Sequence, residues 1–223
     1  MEKTVDTFRP QAVLLDMDGL MLDTEHPTVG LWPIAGRDFN VDIPQEIVMQ
    51  IIGLNEGSIK ALFLKTYGED FPYEKLRDAQ RVLAKQKFER EGIALRPGLL
   101  ELLDCLAERN IPYSVATSTN RESALWKLAH TGIKERFPVL VCGDEVKNGK
   151  PSPDIFLAAA SKLGVPPSGC VGFEDSGPGL FALKAAGIPS IFVQDLVQPS
   201  PEALATVWRR YSTLAEAVEV FLH

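Results

Sequence analysis

Short apolar runs recur along this chain, and four of them end in polar clusters. Ala12–Leu15 runs into Asp16-Met17-Asp18-Gly19, and Ile111–Ala116 into Thr117-Ser118-Thr119-Asn120. Pro138–Cys142 runs into Gly143-Asp144, and Cys170–Phe173 into Glu174-Asp175-Ser176-Gly177; Ser190–Val193 is a fifth run. Each is rich in Val, Ile or Leu and bounded by Gly, Pro, Ser or Asp, the pattern of strands buried on both faces. Helical stretches separate most of them: Gly98–Arg109, Arg121–Thr131, Pro153–Leu163 and Gly177–Ala186. This alternation predicts an α/β fold, a Rossmann-like parallel sheet with helices on both faces and right-handed crossovers.

The stretch from about Leu20 to Arg96 breaks the alternation. It offers no convincing strand. Pro44–Ile52, Ser58–Tyr67 and Tyr73–Arg90 read as helices, with Gly53, Gly57, Gly68 and Pro72 between them. A helical domain inserted after the first strand is the economical reading. The expected division is 1–19 and 97–223 for the α/β core and 20–96 for the insert. Hinges fall near Leu20–Glu25 and Gly92–Pro97. Pro199–Ala205 and Thr213–Leu222 are expected to close the core, the second as a helix.

In an open α/β sheet, ligands bind beyond the carboxyl ends of the strands, so the polar clusters should converge on one edge. That brings Asp16, Asp18, Glu174 and Asp175 together, which is costly without a counter-charge. A hard divalent cation with oxygen ligands resolves it, and Mg²⁺ suits a few carboxylates, water and a substrate phosphate. Thr117 and the amides beyond it donate to an anion. Lys150, in "GKPSPDIF", is the cation among these clusters and can neutralise both carboxylates and phosphate. Cation, lysine and amides around an anion describe a phosphoryl site.

These clusters, in this order, resemble the four motifs of the haloacid dehalogenase-like superfamily. Asp16-Met17-Asp18-Gly19 is similar to its DxDG motif, Thr117 to its second-motif Ser/Thr and Lys150 to its third-motif lysine. "GFEDSGPGLFALKAAG", residues 172–187, is similar to its acidic fourth motif. The insert resembles the small cap of the subgroup containing β-phosphoglucomutases, phosphoglycolate phosphatases and sugar-phosphate phosphatases. The resemblance implies that Asp16 is the nucleophile and Asp18 the proton carrier. It implies Mg²⁺ on Asp16, the Asp18 carbonyl and Asp175, with Glu174 in support, and phosphate on Thr117, the Ser118 amide and Lys150. Gly19 and Asn120 belong to the same clusters and are expected against the substrate. The superfamily's dehalogenases do not use the second aspartate and need no metal, so Asp18 implies phosphoryl transfer.

The cap loop Gly53-Leu54-Asn55-Glu56-Gly57 is the expected specificity element, with Asn55 and Glu56 against the substrate. The β-phosphoglucomutases carry a histidine where this chain has Thr28, and a phosphate-gripping arginine in the loop where it has Glu56. Glu56 should repel a bisphosphate. A Mg²⁺-dependent phosphatase for a small, singly phosphorylated metabolite is therefore expected, a sugar phosphate first. Pseudouridine or nucleoside monophosphates and phosphoglycolate are other substrates to test; a sugar-phosphate mutase or a non-catalytic binding module is the alternative function. Lys60 or Lys85 could supply the missing cap cation.

Several residues read as structural: Asp23-Thr24-Glu25 as hinge, Asp144 as either a loop charge or a site polar group, Asp154 as a local hydrogen-bonder, and His26 and His130 as surface or packing residues. A net charge of −7 without a block of like charges argues against nucleic acid or an anionic membrane as partner. There is no long uncharged apolar run, and the first ten residues lack a signal-peptide pattern. Cys105, Cys142 and Cys170 are an odd count without a CxxC pair, and read as buried thiols of a reducing cytoplasm. A monomer is expected.

Overall fold

A computed structural model describes residues 8–51 and 56–222. In chain order the strands are β1 (Ala12–Leu15), β2 (Leu22–Asp23), β3 (Ala94–Leu95), β4 (Tyr113–Ala116), β5 (Leu140–Val141), β6 (Cys170–Glu174), β7 (Ser190–Val193) and β8 (Arg209–Tyr211). The helices are α1 (Leu31–Arg37), α2 (Gln45–Ile51), α3 (Glu56–Tyr67), α4 (Tyr73–Glu91), α5 (Leu99–Glu108), α6 (Arg121–His130), α7 (Asp154–Leu163), α8 (Gly177–Ala186), α9 (Pro201–Leu204) and α10 (Leu214–Ala217).

Six strands form one parallel sheet in the order β5-β4-β1-β6-β7-β8. Side chains alternate along β1, and each face meets its own helices. Val13 and Leu15 share a core with Leu102, Leu103 and Leu106 of α5, Leu128 of α6 and Leu214 of α10. Ala12 and Leu14 share another with Ile155 and Phe156 of α7 and Leu183 of α8. All four β1 residues are fully buried. Burial of this kind contributes about 1.5–3 kcal/mol per large apolar side chain, and it anchors the strand whose end carries the acidic residues. The expected α/β sheet is therefore present.

The segment between β1 and α5 holds α1 to α4, whose buried side chains form a separate cluster of Trp32, Ile43, Val48, Phe63, Tyr73 and Leu76 among others. Trp32 and Phe63 pack with ring centroids 5.1 Å apart. Phe88, near the end of α4, packs instead with the α5 face of the sheet. The expectation of no strand in this region needs correcting. β2 and β3 pair antiparallel, Leu22 opposite Leu95 and Asp23 opposite Ala94, so the chain leaves and re-enters side by side. Two-residue strands carry too little pattern to be read from sequence.

Two other elements escape a reading of the sequence. α1 contains Pro33 and Gly36, which look like breakers, but Pro33 lies in the first turn, where its missing N–H costs nothing. β8 is Arg209-Arg210-Tyr211, a polar strand at the sheet edge, where charge is tolerated. The helix expected over Thr213–Leu222 is α10 followed by a 3₁₀ turn, Val218–Phe221. The cysteines are buried and unbridged. Among the described residues, no helix is long and apolar enough to cross a membrane.

Candidate active site

β4, β1 and β6 are neighbours and run parallel, so their carboxyl ends lie side by side. Leu15 pairs with both Val115 and Phe173, which sets Asp16, Ala116-Thr117 and Glu174-Asp175 along one edge. Lys150 arrives from the loop before α7. Its Nζ donates to Asp16 Oδ1, and to Glu174 Oε1 at 2.5 Å. Its side chain is only 6% exposed, and Nζ lies 4.9 Å from the centroid of the Phe156 ring. Burial works against the Lys150 charge, but Asp16 and Glu174 outweigh it and hold the ammonium above its usual range. Burial also lifts the Asp16 carboxyl above the carboxylate range, with Lys150 opposing and Glu174 reinforcing.

One ammonium thus serves two carboxylates, and Asp175 adds a third. Burial, then Glu174 and Asp16, push its carboxyl well above the usual range. Asp175 Oδ1 is buried with no hydrogen-bond partner. Asp16, Glu174 and Asp175 each bring an oxygen within 4.8 Å of the others. A buried orphan carboxylate oxygen in an acidic group is what a hard cation satisfies, so the residues fit one. Glu174 is already spent: Lys150 holds one oxygen, and the other accepts from Asp175 N (3.1 Å), Ser176 N (3.1 Å) and Ser176 Oγ (2.9 Å). Its part is to fix Lys150 and the turn into α8. Gly19, at φ +84°, sits so close that a Cβ there would overlap the Asp175 carboxylate.

Asp18 points elsewhere. Its side chain accepts from Thr24 Oγ1 (2.7 Å), Lys127 Nζ (2.6 Å) and Thr119 Oγ1 (2.6 Å). Burial favours protonation, but Lys127 foremost, then Thr119 and Thr24, overcome it and hold the carboxyl below its ordinary range. Lys127 is the residue that sequence reasoning misses. It lies within α6, outside every strand-end cluster, and no local pattern marks it. From sequence, Thr24 reads only as hinge and Thr119 only as part of its cluster.

Thr117 is buried, and its Oγ1 accepts from Thr119 N at 3.1 Å. Ser118 is exposed. Asn120 is the N-cap of α6: its Oδ1 accepts from Ser123 N at 2.9 Å, while Asp144 Oδ1 accepts from Arg121 N at 3.0 Å. The loop after β4 is thus also a helix N-terminus, a setting that favours anions. Asp154 takes Ser152 Oγ (2.7 Å) and Asn148, the local role expected of it. Beside the β2–β3 ribbon, Asp195 pairs with Arg96 at 2.8 Å and lies 3.6 Å from His26. Glu25 is pushed up to about 7, by burial first and then by Asp195 and Asp18.

In the helical segment, Asn55 lies outside the described residues. Thr28 Oγ1 donates to the Thr24 carbonyl at 2.6 Å, so its hydroxyl closes a local turn. Glu56 is not a bare charge. It accepts from Tyr73 Oη (2.7 Å) and Arg77 Nε (2.9 Å), with Arg81 at 3.4 Å. Its expected repulsion of a second phosphate is therefore largely cancelled within the segment. Lys60 pairs with Glu74 at 2.7 Å, and Lys85 lies 5.6 Å over the Trp126 ring of α6. The cation brought to Asp18 is Lys127.

Three carboxylates and a buried lysine thus meet at the carboxyl edge of a parallel α/β sheet. Residues 10–187 match the family model described as haloacid dehalogenase-like hydrolase. The chain is 33% identical over 187 residues to the phosphorylated carbohydrates phosphatase of Thermotoga maritima, covering 82% of this chain and 84% of that one. It is 28% identical over 194 residues to the beta-phosphoglucomutase of Bacillus subtilis, covering 82% and 83%. The crystal structure of CbbY from Rhodobacter sphaeroides in complex with phosphate superposes with a TM-score of 0.79 at 28% identity, over 93% of this chain and 96% of that one. The chain belongs to the haloacid dehalogenase-like hydrolases. Within them it is a phosphoric monoester hydrolase.

Proposed function

We propose that this enzyme hydrolyses a small phosphorylated metabolite, a sugar phosphate first, through a phosphorylated Asp16. The carrying observation is Lys150 held between Asp16 and Glu174, beside the open Asp175 oxygen. Asp16 attacks phosphorus, the bond to the leaving oxygen breaks, and Asp18 gives that oxygen a proton. Water then attacks the aspartyl-phosphate, Asp18 takes its proton, and inorganic phosphate leaves. Lys127 and the two threonines favour the Asp18 anion, the form needed in the second half. The negative charge of an incoming phosphate favours the proton needed in the first. Thr117, the Ser118 amide and Lys150 bind the phosphate. Gly19 lets the chain pass against Asp175.

Asp16, the Asp18 carbonyl and Asp175 would hold Mg²⁺, with Glu174 fixing the turn that carries Asp175. When bound, the ion screens the carboxylates from the phosphate and polarises a phosphoryl oxygen. Residues 20–96 form a cap closing over the leaving group, with the β2–β3 ribbon as its hinge. Glu56, with the arginines beside it, faces the substrate from this cap; Asn120 does so from the core.

The mutase reading is supported by the likeness to a beta-phosphoglucomutase and by the pairing of Glu56 with Arg77 and Arg81, which offsets the repulsion expected of it. Against it stands Thr28, whose hydroxyl is committed to the Thr24 carbonyl, at the position where those mutases are expected to carry a histidine. The test is a panel of phosphorylated metabolites assayed for phosphate release with Mg²⁺, with and without glucose 1,6-bisphosphate. Release without the bisphosphate supports the phosphatase. Isomer interconversion that requires it, with little release, supports the mutase.

A further inference from the structure

The geometry points to Lys127 as the residue that aims Asp18 at the leaving oxygen. The inference rests on Asp18 acting as proton carrier, as proposed above. Three donors meet on this one carboxylate, and they come from three places: Thr24 beyond β2, Thr119 beyond β4, and Lys127 in the last turn of α6. Both hydroxyls lie in loops just past strand ends. Lys127 is rooted differently, in a helix whose Ala124 and Leu128 lie in the sheet core. It is the donor carried by a helix packed on the sheet rather than by a loop.

Burial adds to the case. The Lys127 side chain is 17% exposed and Asp18 23%. A partly buried ion pair carries a desolvation cost that an apolar pair of similar size avoids, so packing alone gives no reason for a lysine here. A flexible carboxylate one rotamer away from the leaving oxygen donates poorly, since small misplacements of a reacting group are costly in rate. An ammonium on Oδ1, with a hydroxyl on Oδ2, fixes both the position and the plane of the group. Lys127 is thus a positioning residue, with no contact to substrate required of it.

The test compares leaving groups. p-Nitrophenolate departs readily without a proton, whereas a sugar alkoxide needs one. Wild type, Lys127→Met, Lys127→Gln and Lys127→Arg are assayed for kcat/KM on p-nitrophenyl phosphate and on the best hexose phosphate of the panel, with Mg²⁺. Lys127→Met is expected to lose roughly 10–100-fold on the hexose phosphate and less than about threefold on p-nitrophenyl phosphate. Lys127→Arg should recover part of the hexose phosphate activity. Lys127→Gln, whose shorter side chain withdraws the ammonium from Asp18 while staying polar, gives the same comparison if the Met variant does not fold. Equal losses on both substrates, or none on either, overturn the assignment. A wild type inactive on every phosphate ester overturns the hydrolase mechanism itself, an outcome distinct because it needs no variant to appear.

Discussion

The Asp175 carboxylate packs against Gly19 so closely that a Cβ on Gly19 would occupy the same space. Gly19 also holds φ +84°, in the region where a side chain costs about 1–2 kcal/mol. The last residue of Asp16-Met17-Asp18-Gly19 is therefore tied to the acidic cluster after β6. Gly19→Ala should displace Asp175, lower apparent Mg²⁺ affinity at least about tenfold and destabilise the fold by roughly 1–3 kcal/mol. Mg²⁺ titration of activity and urea unfolding measure the two effects. Normal Mg²⁺ dependence would separate Gly19 from the metal site.

Lys150 neutralises Asp16 and Glu174 inside the protein. Removing it leaves two buried carboxylates without their cation. Lys150→Met should cost about 3–5 kcal/mol, a fall of roughly 6–20 °C in Tm for a chain of this size. Adding Glu174→Gln should recover part of that loss. A double variant no more stable than the single one would mean that the charge is not what Lys150 supplies.

Removing metal should stop turnover, and the metal should also be visible without activity. An ion that binds only the folded state raises Tm as its concentration rises. Mg²⁺ is expected to stabilise the wild type after EDTA treatment, and Asp175→Asn should abolish that shift. A shift unchanged in the variant would place the ion elsewhere.

Glu25 gives a pH prediction. Its folded carboxyl is pushed up from 4.5 to about 7, by burial and then by Asp195 and Asp18. Below pH 4.5 both states are protonated and Glu25 contributes nothing. Between 4.5 and 7 the unfolded chain releases the proton while the folded one keeps it, so stability falls as pH rises. Above 7 the penalty is complete, at most about 3 kcal/mol. Glu25→Gln should therefore gain stability over the wild type with rising pH. Urea unfolding at about pH 5 and about pH 8, in metal-free buffer, measures the gap. An equal gap at both values would mean that folding does not raise the Glu25 carboxyl.

The core of this fold is legible because its physics is local. Ala12–Leu15, Cys170–Phe173 and Ser190–Val193 are continuous apolar runs, and the parallel sheet places the residues after them on one edge. That logic brings Asp16, Lys150, Glu174 and Asp175 together from the sequence alone. It fails where the determining contact is non-local. Lys127 reaches Asp18 from 109 residues away, and nothing within α6 marks it. The pairing of Leu22 with Leu95 joins two segments that each look like loop. Glu56 reads as a free charge because Arg77, its partner, is 21 residues further along.

In the proposed mechanism Asp16 carries the phosphoryl group. Phosphate release from the panel of metabolites, with Mg²⁺, by the wild type and by Asp16→Asn tests it most directly. The asparagine side chain cannot attack phosphorus and keeps nearly the same shape. Release by the wild type and none measurable from a folded variant is the expected result. Comparable release by both would contradict it.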